Sequence, residues 1–163
     1  MTRESTPEWE DYATSQAERY LARARNARAK AEYLMAELED ARRFADGLKA
    51  VRYGEGGARA ADPDGAMVSA VGSMDAMAAR LSAKAAECAA LMSEASERIS
   101  SLESPQEARL LSLYYVQGLP TWGKVAEAMG YSTASVYRVR ESALLSFYDA
   151  MPHVERDPLH RAV

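Results

Sequence analysis

Small and apolar residues recur along the first third of the chain at Ala13, Ala17, Tyr20, Ala24, Ala27, Ala31, Leu34, Leu38, Ala41, Ala45 and Leu48, in alternating steps of four and three. Such spacing is a heptad seam, and it predicts one long helix that lays a single stripe against a partner. Thr6-Pro7-Glu8 supplies its start, with a threonine cap, a proline in the first turn and an acid near the positive end of the helix dipole. Gly47 alone interrupts the pattern before about Val51. A helix of about 45 residues would span roughly 70 Å at about 1.5 Å per residue, too long to be stable without packing along its length.

Four glycines and one proline between Gly54 and Gly65 predict a flexible connection, with Asp62-Pro63 opening a second helix. The same spacing then returns at Met67, Val71, Met74, Ala78, Leu81, Ala85, Cys88, Met92, Ala95, Ile99 and Leu102. Where the first seam is mostly alanine, the second is mostly bulky. Pairing the two so that residue numbers sum to 115 or 116 sets large against small at most positions, as Ala17 against Ile99 and Ala24 against Met92. Close packing requires that complementarity. The expected arrangement is a long antiparallel, coiled-coil-like helical hairpin over residues 1–103, with an intermolecular coiled coil as its rival.

A different pattern follows. Ser104-Pro105-Gln106-Glu107 reads as a capping box with proline at the first helical position, and Thr121 and Ser132 are placed to cap two further helices. Within Thr121 to Glu141, Ala126 is small enough for a second helix to approach. Gly130 suits a tight turn of positive φ, and Val136 packs back into the angle between the helices, aided by Val125, Met129 and Val139. Residues 104–151 are therefore expected to form a three-helix unit with a helix-turn-helix, and the chain as a whole to be all-α. The remainder, 152–163, carries two prolines and alternating charges and is expected to be disordered.

The run Leu110-Leu111-Ser112-Leu113-Tyr114-Tyr115-Val116-Gln117-Gly118, followed by Trp122, Val125-Ala126, Met129-Gly130 and Ser132 to Val139, resembles region 4 of sigma-70 factors. It is more similar still to phage and mobile-element transcription regulators of the ArpU/RinA type, in which such a domain follows a helical N-terminal half. The resemblance covers roughly residues 66–148, and its specific part is the last 40 or so. It implies a sequence-specific DNA-binding transcription regulator, acting beside RNA polymerase in late-gene control.

Charge modifies that picture. The chain of 163 residues has a formal net charge of −4, unlike a generally basic nucleic-acid binder. Residues 1–53 carry ten Lys/Arg and ten Asp/Glu, residues 54–104 four and eight, and residues 105–163 six and six, so the acidic excess lies in the middle. One cysteine cannot make an internal disulfide, no stretch reaches the length of a membrane span, and Met-Thr-Arg-Glu-Ser lacks the apolar region of a signal peptide. A cytoplasmic protein without membrane partners is expected.

No enzyme signature is present. Cys88 at a seam position reads as a small buried hydrophobe, His153 and His160 as solvated tail residues, and the glycines after Tyr53 lack the Gly-Lys-Ser/Thr of a phosphate loop. No cofactor or metal is expected.

The third helix of the C-terminal unit is the candidate recognition helix. With Val136 and Val139 inward, Thr133, Ala134, Tyr137, Arg138 and Glu141 face outward, and Ser132 and Ser135 lie near its start. Arginine can bond guanine through two contacts, glutamate can accept from cytosine, and small hydroxyls reach phosphates or base edges. Arg140 and Lys124 flank the helix as candidate phosphate contacts. With so few cations, two copies are expected to bind double-stranded DNA together, as a homodimer. A second basic cluster, Arg19, Arg23, Arg25, Arg28 and Lys30, is expected to form intramolecular salt bridges, and Trp122 and Tyr131 to lie in or near the core.

Two other functions stay open at this point. A small terminase subunit also joins a helix-turn-helix to a helical oligomerisation region, although there the DNA-binding part usually comes first. A protein that binds polymerase or a sigma factor without reading DNA would suit the near-neutral charge.

Overall fold

The computed structural model describes residues 6–53 and 63–152, all of whose regular elements are helical. The connection expected at 54–65 falls mostly outside the described residues, as do the tail from 153 with His153 and His160 and the first five residues. Helix α1 runs Pro7–Tyr53 and α2 Pro63–Ser100. After them come α3, Pro105–Leu111, continued by a π-helical turn over Ser112–Val116, then α4, Trp122–Met129, and α5, Thr133–Ala150. Among the described residues no helix is long and apolar enough to cross a membrane.

Helix starts follow their caps. Thr6 Oγ1 accepts from Trp9 N at 3.3 Å, Ser104 Oγ from Glu107 N at 3.3 Å, Thr121 Oγ1 from Lys124 N at 3.2 Å and Ser132 Oγ from Ser135 N at 3.2 Å. Each satisfies an N–H that the first turn leaves without an intrahelical acceptor. The box expected at Ser104 is only half closed. Glu107 turns its carboxylate to the Ser142 hydroxyl, which donates to it, and so ties α3 to α5.

The chain divides into two compact units, one from the described parts of Met1–Arg28 and Ala90–Val163, the other from those of Ala29–Ala89. In the second unit the seams lie inside. Leu34, Leu38, Ala41 and Ala45 of α1 and Ala85 and Cys88 of α2 are buried, and Val71, Met74, Ala78 and Leu81 are half-buried.

In the first unit, Ala13, Ala17, Leu21 and Ala24 of α1 and Ala95 and Ile99 of α2 share one core with Leu110, Leu111, Val125, Val136, Leu144 and Phe147. Aromatic edges lock α1 onto α5: Trp9 meets Tyr148 at 5.3 Å between centroids and Tyr20 meets Phe147 at 5.6 Å. Tyr20 also donates to Glu94 Oε1 at 3.0 Å, a pair whose numbers sum to 114, one short of the expected register. Leu21, fully buried, lies off the heptad stripe. The stripe widens here because α1 packs on the C-terminal helices as well as on α2. Three short helices bury too little surface to be stable alone, and these contacts enlarge their core.

Candidate nucleic-acid interface

Helix α4 ends at Gly130, whose φ of 70° and ψ of 32° place it in the left-handed region. Tyr131 N then donates to Ala126 O at 3.0 Å and Gly130 N to Glu127 O at 3.2 Å, the paired bonds of a Schellman ending that glycine allows without steric cost. Two residues later Ser132 caps α5, and Ser132 Oγ also donates to Ser135 Oγ at 2.9 Å. Val125 and Val136, both fully buried, and Ala126 fill the angle between the two helices. A small side chain at Ala126 lets the axes approach.

That packing decides which face of α5 meets solvent. Thr133, Ala134, Tyr137, Arg138 and Glu141 are all exposed, as is Ser132, with Ser135 half-buried. Tyr137 shows 49% of its surface. Lys124 lies exposed on α4 and its ammonium pairs with Glu127 Oε2 at 2.8 Å. Arg109, which the sequence did not single out, reaches across α4 to donate to Ala128 O at 3.2 Å. Its signal would have been its place on the α3 face next to the end of α4.

Arg140 corrects the expectation of a free phosphate contact. It is drawn inward, where its guanidinium pairs with Glu18 of α1 and lies 5.1 Å above the centre of the Trp122 ring. Burial pushes its pKa down from the usual guanidinium value. A cation spent on a carboxylate and a ring face offers little to a phosphate. Of the two arginines on α5, only Arg138 is left to solvent.

Two members of the basic cluster of α1, Arg25 and Arg28, reach backbone carbonyls of the C-terminal helices. Arg25 Nη1 donates to Leu119 O at 2.9 Å and, at closer range, to Tyr114 O, and Arg28 Nη1 donates to Val116 O at 2.9 Å. The acceptors belong to the π-helical turn and the loop after it, where Gln117 N bonds Ser112 O at 2.8 Å in the wide five-residue step. Widening the turn brings both Leu113 and Tyr115 into the core and leaves carbonyls at its end that need donors. Arginine side chains from α1 supply them.

Trp122 stands near the core as expected, stacked on Tyr114. Tyr131 does not. It is 37% exposed, and its hydroxyl accepts from Gln106 Nε2 at 2.8 Å, because the turn after Gly130 carries it to the rim.

Beyond Arg138 the exposed side of α5 becomes acidic. A shallow groove there is lined by Glu10, Arg138, Glu141, Ser142, Leu145 and Asp149, among others. Among the described residues no group of His, Cys, Asp or Glu is placed to hold a metal ion. Compared with known protein families, curated proteins and solved structures, the chain matches none.

Proposed function

We propose that this protein is a sequence-specific DNA-binding transcription regulator of a phage or mobile element, built as a helical hairpin followed by a sigma-70 region 4-like helix-turn-helix. The observation that carries the reading is the exposed N-terminal half of α5. Behind a Schellman turn and a serine cap, it presents Thr133, Ala134, Tyr137 and Arg138 together on one convex face. A helix offered by its N-terminal end suits a major groove, because its first N–H groups favour phosphate and its side chains meet base edges. Arg138 reads guanine, Tyr137 and Thr133 contact thymine methyl or phosphate, and Glu141 accepts from cytosine. Ser132 and Ser135 steady the helix start, Ala134 allows close approach, and Lys124 exchanges Glu127 for a phosphate. Action beside RNA polymerase in a cytoplasmic setting belongs to the same reading.

One copy has few cations to offer, so it binds duplex DNA weakly and with a shallow dependence on salt. A homodimer provides two recognition helices for half-sites about one helical turn, or a multiple of it, apart. Footprinting on DNA from the protein's own genomic region should reveal a two-part site. Arg138→Ala should lose roughly 1 to 3 kcal/mol of discrimination at one base position per half-site, whereas Lys124→Ala should weaken all sequences alike. An unchanged footprint from a folded variant lacking Tyr137, Arg138 and Glu141 side chains would sink direct DNA reading.

The acidic groove of Glu10, Glu141 and Asp149 favours a second reading, in which the same face docks a basic segment of polymerase or a sigma factor. A triple variant that loses polymerase binding while the footprint stands would select it.

A further inference from the structure

Gln16, Arg19 and Arg23 follow one another at steps of three and four residues and so share one line of α1. With Tyr20 of the same helix and Met151 at the end of α5, they line a cavity of about 90 Å³. Tyr20 and Met151 are buried and Gln16 half-buried, whereas both arginines are exposed. The cavity thus has largely apolar walls under a cationic rim. A space of that size holds about three waters, or one tetrahedral oxyanion.

The charges around the cavity favour an anion. Neither arginine has a carboxylate three or four residues away on α1, and Glu18, the nearest acid in sequence, pairs with Arg140. Arg23 lies 4.8 Å from the centre of the Tyr20 ring, a contact that holds a guanidinium in place without cancelling its charge. Tyr20 donates to Glu94 Oε1, and Arg98 meets both that carboxylate, at 3.3 Å, and Ala150 O, at 3.3 Å. One cation therefore offsets the acid beside Tyr20 and the negative helix end beside Met151. Arg19 and Arg23 stand four residues apart, where like charges repel at a cost to the helix. An anion between them turns that repulsion into attraction.

We propose that this cavity binds the phosphate group of a soluble ligand, seated between the Arg19 and Arg23 guanidinium groups with the Gln16 amide as a third donor. Met151 stands about 21 Å along α5 from Tyr137, at about 1.5 Å per residue, which places the site away from a duplex read at the recognition face. The site is therefore separate from the DNA-binding reading, and either can hold without the other.

Titration of the full-length chain with inorganic phosphate at constant ionic strength tests this. In heteronuclear NMR spectra the Arg19 and Arg23 Nε–H signals should shift and saturate. Arg19→Gln and Arg23→Gln should each weaken phosphate binding by about tenfold, as the loss of one charge-assisted hydrogen bond predicts, whereas Arg42→Gln, elsewhere on α1, should leave it unchanged. In chloride alone Arg19→Gln should melt no lower than the native chain, since it removes a like charge, so its weaker binding is not a loss of fold. Added phosphate should then raise the melting temperature of the native chain more than that of the variant. An equal, unsaturating rise in both is the general effect of phosphate on burial and overturns the site, as does the absence of shifts at Arg19 and Arg23. A random-sequence duplex at the same concentration of phosphate groups should leave those two signals in place. If it reproduces the shifts, the assignment to a soluble ligand falls.

Discussion

Tyr114 and Trp122 stack face to face, with ring centroids 4.0 Å apart and planes 14° from parallel. Arg25 lies 4.0 Å from the centre of the Tyr114 ring and Arg140 5.1 Å from that of Trp122. Each inner ring face is already occupied, so the two guanidinium groups must cover the outer ones. The four layers come from α1, the π-helical turn, α4 and α5 in turn. Cations over ring faces gain from the quadrupole most where water is excluded, and this stack joins α1 to the helices that present the candidate interface.

Arg140→Ala should therefore lower the stability of the first unit by about 1 to 3 kcal/mol, through the lost ion pair with Glu18 and the uncovered Trp122 face. Arg138→Ala, at an exposed position without such contacts, should change stability by no more than about 0.5 kcal/mol. Denaturant unfolding of the two variants separates the roles of these neighbouring arginines. Equal stability losses would refute the assignment.

Gly118 should tolerate no side chain. Its φ is 75°, and a Cβ there would come within 2.9 Å of Cδ and Nε of Arg28. Gly118→Ala should cost about 1 to 3 kcal/mol from backbone strain and displacement of Arg28 together. In an Arg28→Ala background the steric part vanishes, so the same substitution should cost less. A double-mutant cycle measures that coupling, and strict additivity would contradict the close approach.

Gly130 differs, since a Cβ at this position would meet nothing within 4 Å. The cost of replacing it is one of backbone alone. Gly130→Val should lower stability on the order of 1 to 3 kcal/mol, and Gly130→Asn by much less, because asparagine enters the left-handed region more readily. Melting curves of the two variants test the order.

Alkali should expose Tyr115. Burial, reinforced by the neighbouring Tyr114 and opposed by Arg25, pushes its hydroxyl up to about 12 from the usual 10. The unfolded chain then loses this proton before the folded chain does. The stabilisation is complete below pH 10 and is lost progressively as pH rises from 10 to about 12. Tyr115→Phe should flatten the fall in unfolding free energy over that window. If its slope matched that of the native protein, the buried phenol would not be responsible.

Helix boundaries were legible in the chain itself. Thr6, Ser104, Thr121 and Ser132 cap because a hydroxyl next to a helix start accepts from an N–H three residues on, and Gly130 turns because its backbone can. These choices are made within a few residues. Heptad spacing likewise marked the buried stripes, since a helix carries its own periodicity. Tertiary structure alone decided the use of the arginines. The sequence offered Arg25 and Arg28 carboxylates on their own helix; the backbone carbonyls that they also reach lie some 90 residues away. Two of those acceptors, Tyr114 O and Val116 O, lie in the π-helical turn that begins at Ser112, and the third, Leu119 O, in the loop after it. Arg140 was expected to face DNA, but Glu18 stands 122 positions off in sequence and beside it in space. A long cationic side chain at a helix edge can turn outward to solvent or inward to a neighbour. Packing of α1 against α5 fixes that choice, because it brings a carboxylate and a ring face within reach, which no local pattern encodes.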